Sequence, residues 1–106
     1  IIATLADYDI EASRSKGETG VWIDVYGANP RKICAMGIRT SRWVTMHGFA
    51  LNVNTDLSFF DYIIPCGIAD KSITSIEKEL GAIVAMQEVI KKFEGHFSRI
   101  FEAEIA

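Results

Sequence analysis

Cys66 stands between Pro65 and Gly67, and Lys32 follows Arg31 at the head of an apolar run. Those neighbours bear on what the sulfur can do. Proline has no N–H and fixes the approach of the chain, while glycine lets the backbone turn sharply just beyond. A cysteine on such an elbow can expose its sulfur, with backbone N–H groups facing an oxyanion as it develops. Nucleophilic chemistry needs the thiolate, and a thiol with pKa near 8.5 is only a few per cent ionised at neutral pH. A positive ammonium within ~4–6 Å favours the ionised form, and Lys32 is the cation weighed for that role. The residue types alone leave both readings open. Cys66 also fits a small buried thiol, and a lysine beside an arginine at a strand entrance also fits solvated surface.

His47 lies in Thr45-Met46-His47-Gly48-Phe49-Ala50-Leu51-Asn52. It reads either as a hydrogen-bonded histidine within a sheet or as an accessory residue of a pocket. Cys34 falls in a β-type run and reads as a small core residue. His96 belongs to a surface or interface. Two histidines without a neighbouring Cys/Asp/Glu cluster predict no metal site. There is no Gly-rich phosphate loop, which speaks against ATP chemistry in this segment.

Apolar spacing predicts the elements that must position these groups. Ile1, Leu5 and Tyr8 start the chain at helical spacing, as though it enters a helix in mid-stride. Glu11 to Gly20 reads as a loop or irregular edge strand, and Val21 to Tyr26 as a strand closed by Gly27-Ala28-Asn29-Pro30. Lys32 to Thr40 and Trp43 to Val53 complete a three-stranded β-meander over residues 21–53, with Ser41-Arg42 as the tight connection between them. Gly37 and Gly48 lie inside those strands, where a ligand or a second backbone can come close. Asn54-Thr55-Asp56 offers an N-cap for one or two helical turns over Leu57 to Tyr62. Thr74-Ser75-Ile76-Glu77 fits a capping box for a short helix ending near Leu80, stopped by Gly81. Met86, Val89, Ile90, Phe93, Phe97, Ile100 and Phe101 then follow the i, i+3, i+4, i+7 spacing of a longer amphipathic helix.

The 106 residues, 49% of them hydrophobic and 24% charged, suffice for one modest core and no more than one domain. A net charge of −3 with scattered basic residues gives no footprint for nucleic acid. Two cysteines are not a disulfide framework and fit a reducing compartment. No apolar run reaches the roughly 18 residues of a membrane span. A cytoplasmic or organelle-matrix protein is therefore expected.

Three islands occur in order: Lys32-Ile33 with Gly37, then Thr45 to Val53, then Pro65-Cys66-Gly67-Ile68. Together they resemble the C-terminal half of the lipoyl(octanoyl) transferases, over a stretch from about Thr4 to near Leu80. The resemblance implies an α+β fold of the biotin and lipoate protein ligase type, a mixed or antiparallel sheet packed against helices. It implies that Cys66 is the acyl-accepting nucleophile and that Lys32 lowers its pKa, the two separated by the family spacing. It further implies that Ala35, Met36, Gly37, Gly48, Phe49 and Ala50 contact the substrate. The activity expected is transfer of an octanoyl group from acyl carrier protein, through an acyl-cysteine, to a lysine of lipoyl domains. The acceptors are those of 2-oxoacid dehydrogenase complexes or the glycine cleavage H protein. Neither a cofactor nor a membrane or nucleic-acid partner is implied.

The family also carries an N-terminal half with Arg-Gly-Gly…Thr…His-Gly-Pro-Gly-Gln, which has no counterpart here. Residues 1–106 are thus expected to be the C-terminal catalytic portion of one domain, a fragment. An exposed apolar surface is expected where the other half docks, with Ile1, Trp22, Trp43 and the Phe59-Phe60 pair as candidate orphaned core residues. The other reading kept is a non-catalytic module that binds a carrier domain or an acyl chain on the same scaffold.

Overall fold

The computed structural model describes residues 1–41, 44–58 and 72–102, with the backbone alone for 38–41 and 44–47. The meander expected over 21–53 is present as β2 (Glu18–Ile23), β3 (Arg31–Ser41) and β4 (Val44–Leu51), paired antiparallel in chain order. A short β1 (Ser13–Ser15) pairs with β2 across Lys16-Gly17, so the polar stretch is an edge hairpin. That moves the predicted Val21–Tyr26 strand towards the N-terminus. It begins at Glu18 and ends at Ile23, because Asp24 takes a left-handed φ of 54°. The Asp24 carbonyl accepts from Gly27 N at 3.0 Å and its carboxylate from Asn29 N at 3.1 Å. Tyr26 is left in the turn, 84% exposed.

A two-residue β5 (Ser72–Ile73) runs parallel to the head of β3, opposite Arg31 and Lys32. It occupies the lane alongside β3 that β4 leaves beyond Leu51. Asn52 joins the two segments: its N bonds Ile33 O at 3.0 Å, and its side-chain amide donates to Thr74 O at 3.1 Å. Asn54 does the same further on, exchanging two hydrogen bonds with the Val84 backbone at 2.7 and 3.1 Å.

Three helices are seen among the described residues: α1 (Ile2–Ala6), α2 (Ile76–Leu80) and α3 (Met86–Phe101). The α2 cap sits one residue later than the capping-box pattern indicates. Ser75, not Thr74, accepts from Lys78 N at 3.0 Å, and Gly81 closes the helix at φ 77°. Thr74 is released to donate to Glu79 Oε2 at 2.6 Å. Of the turns expected from Leu57, only a 3₁₀ start at 57–58 is described, capped by Asp56, which accepts from Ser58 N at 3.0 Å. Residues 59–62 lie outside the described residues.

Leu5, Ile10, Val21, Ile23, Ile33, Cys34, Val53, Ile76 and Val89 form one buried cluster, drawn from every layer of the fold. At about 25 cal/mol for each Å² of apolar surface removed from water, this cluster supplies the main drive for folding. The antiparallel sheet with helices agrees with the α+β class expected.

Candidate active site

Side chains directly opposite one another in an antiparallel pair share a face, and successive residues alternate. β2 and β3 pair as Val21↔Cys34 and then as Trp22↔Lys32 and Ile23↔Arg31. One step along β2 thus meets two steps along β3, which makes Ile33 the extra residue of a β-bulge. Cys34 joins Val21 in the core cluster, and Lys32 joins Trp22 on the other face. Without the bulge Lys32 and Cys34, two residues apart, would share a face.

Lys32 is only 7% exposed, which rules out solvated surface for it. Its Nζ lies 5.1 Å from the centroid of the Trp22 ring. The stem passes over Gly20, whose φ of 113° and missing side chain make the passage. A Cβ built there would stand 2.6 Å from Cys34 O and 3.4 Å from Lys32 Cε. The Lys32 carbonyl is held by Thr74 N at 2.9 Å. Among the described residues no carboxylate forms an ion pair with Lys32. Burying an ammonium without a counter-ion is unfavourable; the face of the indole returns about 0.5–2 kcal/mol of that.

The neighbouring Arg31 is neutralised. Its Nε and Nη2 donate to the two oxygens of Glu79 at 2.8 and 2.7 Å, a bidentate pair. These hydrogen bonds, the largest influence on it, hold the Glu79 carboxyl below the usual carboxylate value. The pair fastens the head of β3 to α2 and leaves the adjacent Lys32 without a carboxylate partner among the described residues.

The six residues expected to contact substrate sit opposite each other as Ala35↔Ala50, Met36↔Phe49 and Gly37↔Gly48. All six are exposed. Alternation divides them. Ala35, Ala50, Gly37 and Gly48 lie on the face that Lys32 reaches through the bulge, and a Cβ added to Gly37 or Gly48 would meet nothing within 4 Å. Met36 and Phe49 lie on the reverse face, where the Phe49 ring stands 5.0 Å from Phe93 of α3. Phe49, Leu51, Val53, Val89, Phe93 and Phe97 line an open apolar groove there of about 470 Å³.

Cys34 is fully buried, and burial pushes its thiol up to about 11. It is a core residue and no nucleophile. His47 pairs with Ile38 in the backbone of β4, and its side chain lies outside the described residues. So does Cys66. His96 ties α3 to α1: Arg99 donates to its Nδ1 at 3.0 Å, leaving Nε2–H to donate to Asp7 at 2.7 Å. Among the described residues no group of three His/Cys/Asp/Glu could hold a metal ion, and no helix is long and apolar enough to cross a membrane. Gly20 and Trp22 are the residues of this site that sequence reasoning does not select. Their signal is positional, a Gly-x-Trp strand opposite a lysine, and it emerges only once the register is known.

Residues 1–98 match the family model of the lipoyl protein ligase A/B catalytic domain. The chain belongs to that family. It is 57% identical over 106 residues to an octanoyltransferase of Christiangramia forsetii, covering 99% of this chain and 45% of that protein. To an octanoyltransferase of Flavobacterium johnsoniae it is 59% identical over 106 residues, covering 99% and 46%. To one of Cytophaga hutchinsonii it is 56% identical over 108 residues, covering 99% and 43%. The chain therefore spans a little under half the length of these relatives. The ligase A/B fold accounts for a sheet whose central strand carries the only buried lysine among the described residues.

Proposed function

We propose that this chain is the C-terminal catalytic portion of an octanoyltransferase that acts in lipoate biosynthesis, a cytoplasmic enzyme. In this reading the Cys66 thiolate attacks the thioester carbonyl of octanoyl acyl carrier protein. The C–S bond to Cys66 forms, the tetrahedral oxyanion collapses, and the carrier thiolate departs and takes up a proton. The neutral amine of a lipoyl-domain lysine then attacks acyl-Cys66. An amide forms, the Cys66 thiolate leaves, and the amine loses one proton.

Lys32 has two tasks here. As the ammonium it favours the Cys66 thiolate and gives a proton to the departing carrier thiolate; as the neutral amine it then takes the proton that the attacking lipoyl-domain lysine loses. Ala35, Ala50, Gly37 and Gly48 make a floor without bulk, suited to an extended eight-carbon chain. Met36 and Phe49, whose side chains lie on the reverse face, would meet the substrate only through their backbone, and His47 is kept as a candidate accessory by resemblance.

The observation that carries the reading is the buried Lys32, without a carboxylate partner among the described residues, in a chain at 56–59% identity to named octanoyltransferases. Those names favour the transferase branch of the family over its ATP-using ligases. The test is intact-mass spectrometry of the full-length protein mixed with octanoyl acyl carrier protein, with Cys66→Ser alongside. One octanoyl adduct that disappears in the variant is expected. An adduct that persists in Cys66→Ser moves the nucleophile to another residue, and no adduct with the wild type removes the assignment and leaves the binding-module reading.

A further inference from the structure

We infer that Trp22 is a positioning residue for acyl transfer, its indole face holding the Lys32 ammonium in the place where it acts. The inference rests on the role proposed for Lys32 above and adds a residue to it. Three independent features converge on the same contact. The bulge at Ile33 turns Lys32 onto the face of Trp22 and makes the two direct cross-strand partners. Gly20, two residues before Trp22 on that face, has no side chain and a φ of 113°, which opens the channel for the lysine stem. Trp22 is itself 1% exposed, so its ring is clamped and cannot swing away from the cation.

A long, flexible lysine loses several rotatable bonds when it is ordered, and an ion pair is the usual restraint. A carboxylate beside Lys32 would also draw its charge away from a neighbouring thiolate. An indole restrains the ammonium through its quadrupole while adding no negative charge. Trp22 thereby fixes the cation in position and leaves its field free for the substrate side.

The test replaces Trp22 alone, by site-specific incorporation in the full-length enzyme, with mono-, di-, tri- and tetrafluorotryptophan. Fluorine withdraws density from the ring face with little change of shape. The single-turnover rate of acylation is expected to fall stepwise, by about threefold to thirtyfold across the series, the range of one cation–π contact. KM for octanoyl acyl carrier protein is expected to stay unchanged, while the melting temperature falls by no more than a few degrees. A purely structural tryptophan would leave the rate flat. A flat rate across the series, with Lys32→Ala inactive, overturns the role of Trp22 while the role of Lys32 stands. Wild-type acylation by Lys32→Ala overturns both. Should a fluorinated form fold poorly, Trp22→Phe supplies the readout, with a smaller rate loss than Trp22→Leu expected and equal losses overturning the inference.

Discussion

The two faces of the β3–β4 ribbon are built from opposite materials. On the Lys32 face lie Ala35, Ala50, Gly37 and Gly48, side chains of one carbon or none, beside the buried Lys32. On the α3 face the rings of Phe49, Phe93, Phe97 and Phe101 follow one another at centroid distances of 5.0, 5.9 and 4.7 Å. Yet Phe49, Phe97 and Phe101 remain 46%, 37% and 65% exposed. The aromatic face is rich in surface to bury and only partly buried; the other has little to bury and holds the one costly group. Packing alone would order them the other way. The Lys32 face is set by backbone devices, a bulge and a left-handed glycine, which make space.

The largest expected effect lies on the small-residue face. Lys32→Ala should lower single-turnover acylation by at least about a hundredfold, with urea denaturation showing stability equal to or above wild type. A variant as active as wild type would place the chemistry elsewhere. Gly20→Ala comes next. A Cβ 2.6 Å from Cys34 O at φ 113° should destabilise the domain by about 2–3 kcal/mol in a urea titration; a neutral result would mean that the strand shifts freely. On the aromatic face, Phe101→Ser should change stability by less than about 1 kcal/mol, because the ring is mostly in water already. Light scattering should show less self-association of the isolated chain. Loss of acylation in that variant comparable to Lys32→Ala would dissolve the contrast between the faces.

Two smaller effects sharpen it. Glu79 has a folded-state pKa below its ordinary 4.5, through its hydrogen bonds to Arg31. Its contribution to stability is therefore complete above about pH 4.5 and is lost as pH falls through the depressed value. Glu79→Gln should flatten the acid limb of the stability profile, and an unaltered limb would mean that the pair is idle. Cys34, with its thiol raised to about 11, should resist iodoacetamide at pH 8 in the folded protein and react on unfolding. Rapid labelling of Cys34 in the folded state would show that the core opens there.

The contrast also separates what the sequence discloses from what it withholds. The α3 face is legible because Met86 to Phe101 repeats at helical spacing, and the meander because its runs end at Gly27–Pro30 and near Ser41-Arg42. The hairpin start at Glu18 is not, since an edge strand with one face in water needs no apolar marking. The bulge is hidden for a related reason. The β3 run is apolar on both sides, so nothing in its pattern records which residue faces which way. Trp22, expected among the uncovered core residues, is instead buried under Lys32, and Ile1 is half-buried; Trp43 and the Phe59-Phe60 pair lie outside the described residues. The exposed apolar surface itself is there, carried by Phe49, Met86, Ile90, Phe97, Ile100 and Phe101. For Cys66 the sequence remains the whole argument.

The bulge at Ile33 has a consequence for how β3 tolerates change in length. It splits the strand into two segments of opposite parity, Arg31-Lys32 on one count and Cys34 to Ser41 on the other. Inserting one residue into β2 between Val21 and Trp22 would give a regular ladder by every local criterion, and would turn both Lys32 and Trp22 onto the Cys34 face, into the hydrocarbon interior. Deleting Ile33 would also remove the irregularity, but Lys32 would then directly precede Cys34 and stay opposite Trp22. The irregularity behaves as a frame marker written in the backbone, one that tolerates the loss of its extra residue and not the gain of a matching one on β2.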